Sequence, residues 1–168
     1  LKDASPDEQL SLLEGNLMET NQTIVDIYSR YLFETEVIDT RADHAMSVDE
    51  LKDAMLRAQE ASYGDGLDPE IRHPYMWACK SHYYSSGYNF YNFPYAFGEL
   101  FAKGVFAQYL QKGAAFVPDY CRLLRSCGSG TIADVAASVG IDVRNPDFWR
   151  SSLEVVKGNI DKFCELVK

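Results

Sequence analysis

Between Ser81 and Gly98 the sequence reads SHYYSSGYNFYNFPYAFG, and here its residue types could do chemistry. Eight of the fifteen residues from Tyr83 to Phe97 are aromatic, and five of those are tyrosine. A tyrosine hydroxyl is a neutral donor at pH 7, with a reference pKa of about 10, so several of them can surround a developing oxyanion without adding charge. His82 stands at the front of the run and, if neutral, could do the same or hold a substrate carbonyl. Ser85, Ser86 and Gly87 let the backbone turn ahead of Tyr88 and expose a ring edge. The same composition also suits rings that fill a core and hydrogen-bond one another.

Other chemistries find little here. The histidines are His44, His73 and His82, and no two are three or four apart, so none can form the paired ligand face of a metallopeptidase helix. There is no HExxH, and no metal ligand is expected from this chain. Gly128-Ser129-Gly130 lacks both the third glycine and the lysine of a phosphate cradle. No Gly-x-Ser-x-Gly occurs, and Cys79, Cys121, Cys127 and Cys164 include no Cys-x-x-Cys pair. The cysteines read as reduced, mostly buried thiols packing as small hydrophobes.

The elements that must position the aromatic run are helical. Ser5-Pro6-Asp7-Glu8 is a capping box with proline at the first helical position. Leu10, Leu13, Leu17, Ile24, Ile27, Tyr28, Tyr31 and Leu32 then recur at three, four and seven, which predicts a helix to about Ile38, weakest at Gly15 and near Asn21. Ser47-Val48-Asp49-Glu50 predicts a second start, and Gly64-Asp65-Gly66 a stop. Pro69 and Pro74 mark a loop from Leu67 to Tyr75, and Trp77 to Tyr84 reads as a short helix or ordered turn. Asn92-Phe93-Pro94 opens a helix, apolar over a wide face and expected at the centre of the core, that ends before Gly113. Shorter helices follow over Pro118–Ser126 and from Thr131 towards Gly140, and Asn145-Pro146-Asp147 caps a last one running to about Val167. With no sustained period-two alternation and no fixed-period repeat, the fold class is all-α, an irregular multi-helix bundle, and residues 1–168 form a single helical domain.

Composition narrows the partners. Hydrophobic residues at 46% and charged residues at 24% suit a folded globular chain. At 168 residues, folding would bury roughly 70% of the unfolded surface. A formal charge of -9 argues against nucleic acid, whose recognition rests on Lys and Arg neutralising phosphates, and against an anionic membrane surface. No apolar run reaches the ~20 residues of a membrane span, and Leu-Lys-Asp-Ala at the start has neither a basic nor an apolar leader region. A cytoplasmic location follows as the expectation. Leu1 in place of an initiator Met points to a chain that begins inside a longer one.

The segment HYYSSGYNFYNFPYAFGELFAKG closely resembles the C-terminal signature of oligoendopeptidase F, a branch of the thimet oligopeptidase family of zinc metallopeptidases. The resemblance extends over nearly the whole chain. It takes in Tyr31-Leu32-Phe33-Glu34, Ser47 to Leu51, Ala61-Ser62-Tyr63-Gly64-Asp65, Tyr120 to Leu124, Gly128-Ser129, Gly140-Ile141-Asp142 and Pro146-Asp147-Phe148-Trp149, in the family's order. It implies that this is the C-terminal portion of a larger, mostly helical metallopeptidase fold. The family's zinc is held by the two HExxH histidines and a glutamate on the next helix, with the HExxH glutamate as general base. Those elements lie upstream of residues like these, so the zinc belongs to the full-length parent and the fragment is expected to be inactive. By the same resemblance His82, Tyr88 and Tyr95 are the catalytic candidates, and His82, Tyr88, Tyr91 and Tyr95 bind the backbone of an oligopeptide substrate. Tyr88 and Tyr95 keep the seven-residue separation of two motif tyrosines. In the thimet branch the His-to-first-Tyr gap is one shorter and the middle tyrosine falls at the position of Asn92, which leaves open which hydroxyl faces the oxyanion. A reading of another class is a stand-alone helical module whose aromatic groove docks a peptide or protein. Truncation would also expose an apolar face able to drive self-association.

Overall fold

The computed structural model describes residues 3–168; Leu1 and Lys2, on which the reading of the extreme N-terminus partly falls, lie outside the described residues. Among the described residues there are seven α-helices: α1 (Pro6–Asn21), α2 (Ile27–Arg41), α3 (Val48–Tyr63), α4 (Phe93–Lys112), α5 (Val117–Ser126), α6 (Ile132–Ala137) and α7 (Pro146–Leu166). Short 3₁₀ turns occupy Gly64–Gly66, Pro69–Ile71, Met76–Cys79, Ser81–Tyr84 and Gly113–Phe116. No strand occurs among the described residues, and the fold is all-α. None of the described helices is long and apolar enough to cross a membrane. The described residues divide into two compact units: one takes in those up to Leu17 and from Gly98 onward, the other is Met18–Phe97.

Most helix starts are the ones the caps predict. The Glu8 amide donates to Ser5 Oγ at 3.4 Å while the Ser5 amide donates to Glu8 Oε2 at 2.8 Å. Ser47 and Glu50 repeat the arrangement at 3.3 and 2.7 Å. Thr131 and Asn145 accept from the amides of Asp134 and Asp147 at the heads of α6 and α7. Gly64, Gly113, Gly128 and Gly140 adopt positive φ where predicted helices stop, the conformation a side chain would resist. The first predicted helix does not stay α throughout. Gln22–Asp26 is a π-turn, placed directly after Asn21. Within it the Val25 carbonyl accepts from the Ser62 hydroxyl on α3.

In the Met18–Phe97 unit α2 packs along α3. Phe33, Ala54, Met55 and Ala58 form the buried centre, flanked by Leu32, Val37, Leu51, Met76, Trp77 and Tyr83. Gln59 is buried among them and ties down the following loop: its Nε2 donates to the His73 carbonyl at 2.9 Å and its Oε1 accepts from the His73 amide at 3.1 Å. The other unit is centred on Val105, Phe116, Leu123, Ala136, Val139, Ile141 and Phe148. There α4 and α7 approach so closely at Gly104 that a Cβ would stand 2.5 Å from the Phe148 ring.

Two expectations from composition need correcting. Helix α4 is apolar nearly all round, yet only Gly104, Val105 and Ala107 are buried, while Phe93, Tyr95, Phe106, Tyr109 and Leu110 are exposed. One stripe of a helix can meet its neighbours, and apolar content alone does not say which stripe. The cysteines are free, but Cys79, Cys127 and Cys164 are exposed and only Cys121 is partly covered. Cys79 closes a 3₁₀ turn and Cys127 caps the C-terminus of α5, both at element ends and away from the packed faces.

Candidate functional site

The aromatic run lies within one unit, and its geometry begins with two successive turns. The Tyr88 amide donates to the Ser85 carbonyl and the Tyr91 amide to the Tyr88 carbonyl, both at 3.0 Å. Ser85-Ser86-Gly87-Tyr88 thus closes on itself as small residues allow, and Tyr88-Asn89-Phe90-Tyr91 closes next. In that second turn Phe90 carries a φ of 54° and is the one non-glycine residue with positive φ among those described. Such a conformation is costly for a bulky residue and persists only where its surroundings enforce it. Asn92 then leads into α4 at Phe93.

These turns bring together the four residues that the sequence singled out. The His82 imidazole stacks on Tyr91 with ring centroids 5.6 Å apart and planes 25° from parallel. Tyr88 and Tyr95 meet His82 edge-on at 6.1 and 6.4 Å. Tyr91 in turn touches Tyr88 at 5.1 Å and Tyr95 at 5.6 Å. The group is open to solvent: Tyr88, Tyr91 and Tyr95 are 49%, 43% and 44% exposed, and His82 is half-buried. Among the described residues none of the three hydroxyls finds a protein acceptor, so each remains available as a donor. What results is a single exposed patch of neutral O–H groups around one imidazole.

Tyr83 and Tyr84, adjacent in the run, part company. Tyr83 packs edge-on against Phe33 at 5.4 Å and its hydroxyl donates to the Arg30 carbonyl at 3.3 Å. Burial pushes its phenol well above the ordinary range, opposed by Arg30 and reinforced by Glu34 and Asp26. Tyr84 instead points to solvent, 64% exposed. Adjacent residues on a 3₁₀ turn cannot share one face, so only one of the pair could enter the core.

The sequence reading also missed who holds the patch in place. Glu34 on α2 is only 8% exposed. Its Oε1 accepts from the Phe90 amide at 2.7 Å and its Oε2 from Asn92 Nδ2 at 2.6 Å. Asn92, itself buried, uses its Oδ1 to accept from the Phe93 amide at 2.6 Å. The Phe90 ring leans on Tyr31 at 5.9 Å. Further back on the helical run, Asp26 pairs with Arg30 and accepts from the Tyr63 hydroxyl at 3.2 Å. Nothing local marks this role, since the partners of Glu34 lie 56 and 58 residues away; the sequence singles it out only within Tyr31-Leu32-Phe33-Glu34.

No group of three or more His, Cys, Asp and Glu side chains among the described residues is placed to hold a metal ion. The residues present therefore do not fit a zinc site by themselves.

No family model matches the chain, and no solved structure matches it. Over 105 residues, 62% of its length, the chain is 27% identical to Oligopeptidase PepF of Bacillus subtilis (strain 168). The matched stretch amounts to 15% of that protein. The chain is thus similar to a short part of a much longer oligopeptidase.

Proposed function

We propose that this chain is the C-terminal helical part of a cytoplasmic zinc metalloendopeptidase that hydrolyses oligopeptides, and that it contributes one wall of the substrate cleft. The observation that carries the reading is the exposed cluster of His82, Tyr88, Tyr91 and Tyr95, whose tyrosine hydroxyls no described residue engages. The likeness to part of an oligopeptidase supports it. In this reading the zinc and the general base sit on residues outside this chain. The chain's own work is to donate hydrogen bonds: His82 and the tyrosines hold the peptide backbone, and Tyr88 or Tyr95 meets the oxyanion as it forms. Tyrosine suits that task because it stays neutral and so does not stabilise an anion indiscriminately. One preorganised donor of this kind is worth roughly 3 kcal/mol of barrier.

The test uses the full-length protein and short peptides. Tyr88→Phe and Tyr95→Phe are expected to lower kcat by roughly 100-fold, with KM changed far less, and a chelator is expected to abolish turnover. Unchanged kcat in both variants would assign the tyrosines to packing. Peptide binding by the 168-residue chain, coupled with a full-length protein that hydrolyses nothing, would favour instead a stand-alone helical peptide-binding module.

A further inference from the structure

Glu34 is a buried carboxylate that the proposed chemistry does not use. Its two oxygens accept from one backbone amide and one side-chain amide, both on the segment that carries the tyrosines. The backbone amide belongs to Phe90, the residue of positive φ that reverses the chain between Tyr88 and Tyr91. The side-chain amide belongs to Asn92, the last residue before α4 and hence before Tyr95. Glu34 therefore grips the turn at the two points between which Tyr91 hangs. A residue buried on α2 thereby holds the stretch that carries Tyr91 on both sides.

We propose that Glu34 is the positioning residue of the His82/Tyr88/Tyr91/Tyr95 site, acting through Phe90 and Asn92 to hold the tyrosine turn in the conformation that clusters and exposes the four rings. The inference deepens the function proposed above and rests on it only for what the rings bind; the clamp itself is a claim about ring geometry. The chemistry of the pair makes it specific. Asn92 cannot turn its amide over to suit a changed partner, because its Oδ1 already accepts from the Phe93 amide. Glu34→Gln keeps an acceptor for Phe90 but sets an NH2 group against the Asn92 NH2. The reversed pair Glu34→Gln/Asn92→Asp removes that conflict: the new amide donates to the new carboxylate, which still has an oxygen for Phe93.

The experiment is NMR of the 168-residue chain, reading the proximity of the His82 ring to the Tyr88, Tyr91 and Tyr95 rings in wild type, Glu34→Gln, Asn92→Ala and the reversed pair, with far-UV circular dichroism as a check on helix content. The His82–Tyr91 and Tyr91–Tyr95 cross-peaks are expected to vanish in Glu34→Gln, weaken in Asn92→Ala and return in the reversed pair, with helix content unchanged. Persistence of the cross-peaks in Glu34→Gln, or their absence in a folded reversed pair, overturns the proposal. Loss of helix content in all three variants overturns it too, since Glu34 would then support the fold and not the aim of the rings. If Glu34→Gln alone unfolds and the reversed pair restores both helix and cross-peaks, the clamp stands. Peptide turnover by the full-length protein is read separately. A roughly 10- to 100-fold fall in kcat for Glu34→Gln, regained in the reversed pair, is the expectation for displaced donors. If the rings part while turnover stays intact, the clamp stands and the tyrosines forfeit the substrate role.

Discussion

Replacing Gly104 with alanine should destabilise the protein, against the usual trend for a glycine inside a helix. In a helix interior the change ordinarily gains about 1 kcal/mol, because alanine loses less conformational freedom on folding. Here the added Cβ would fall 2.5 Å from Phe148 Cζ, 2.6 Å from Cε2 and 2.7 Å from Ser152 Oγ, about 1 Å inside ordinary carbon contact. Neither neighbour can retreat easily. The Phe148 ring is wedged against Phe101 at 5.7 Å and Trp149 at 5.1 Å, and fully buried Ser152 is tied to the Phe148 carbonyl at 3.2 Å. Overpacking of this kind costs about 1–3 kcal/mol, and an overlap this deep belongs at the upper end. The net is a loss of about 1–2 kcal/mol, or a Tm lowered by about 2–8 °C for a chain of this size. Thermal melts by circular dichroism should show it, with Gly158→Ala on α7 as the companion variant. A Cβ at Gly158 meets nothing within 4 Å, so that variant should melt at or above the wild-type temperature. Gly104→Ala melting as high as Gly158→Ala would refute the close approach of α4 and α7.

Gln59→Met preserves volume but leaves the His73 amide and carbonyl without the partners they have at 3.1 and 2.9 Å; a loss of about 2–4 kcal/mol by urea unfolding is expected. Glu50 is held down to about 2, first by the Ser47 amide and then by His44, from an ordinary 4.5. Its contribution is therefore complete above pH ~4.5 and disappears as pH falls towards ~2. Glu50→Gln should flatten that part of the acid-unfolding profile, and an unchanged profile would show the cap to be energetically silent. The Tyr63 phenol is pushed up to about 12, mainly by burial and then by Asp26. Its contribution is intact below pH ~10 and is lost as pH rises from ~10 through ~12; Tyr63→Phe should lessen the fall in urea midpoint across that range.

Much of the helical architecture is legible because its determinants are local. A serine and a glutamate three residues apart can satisfy each other's amides wherever they occur, and both such boxes form. Glycines at positive φ stop helices for reasons internal to the backbone. What escapes a local reading is set by distant partners. The π-turn at Gln22–Asp26 is bound up with the Ser62 hydroxyl on another helix. The face of α4 that is buried depends on where Phe148 arrives. The aromatic run is legible as a motif, but the division of labour between Tyr83 and Tyr84, one buried and one in solvent, follows from the position of Phe33. Glu34 is the extreme case. Its residue type announces charge, and only the folded chain turns that charge into a grip on Phe90 and Asn92.

That long reach has a temporal side. Turns such as Ser85–Tyr88 can flicker into being within a short stretch of chain, but an unfavourable backbone angle at Phe90 has no stabilising partner until α2 has formed and come alongside. Closing a loop of more than fifty residues is slower than any local turn. The patch of hydroxyls thus depends on a contact that no local turn can supply. A half-folded chain carries the same tyrosines and presents no ordered array of them.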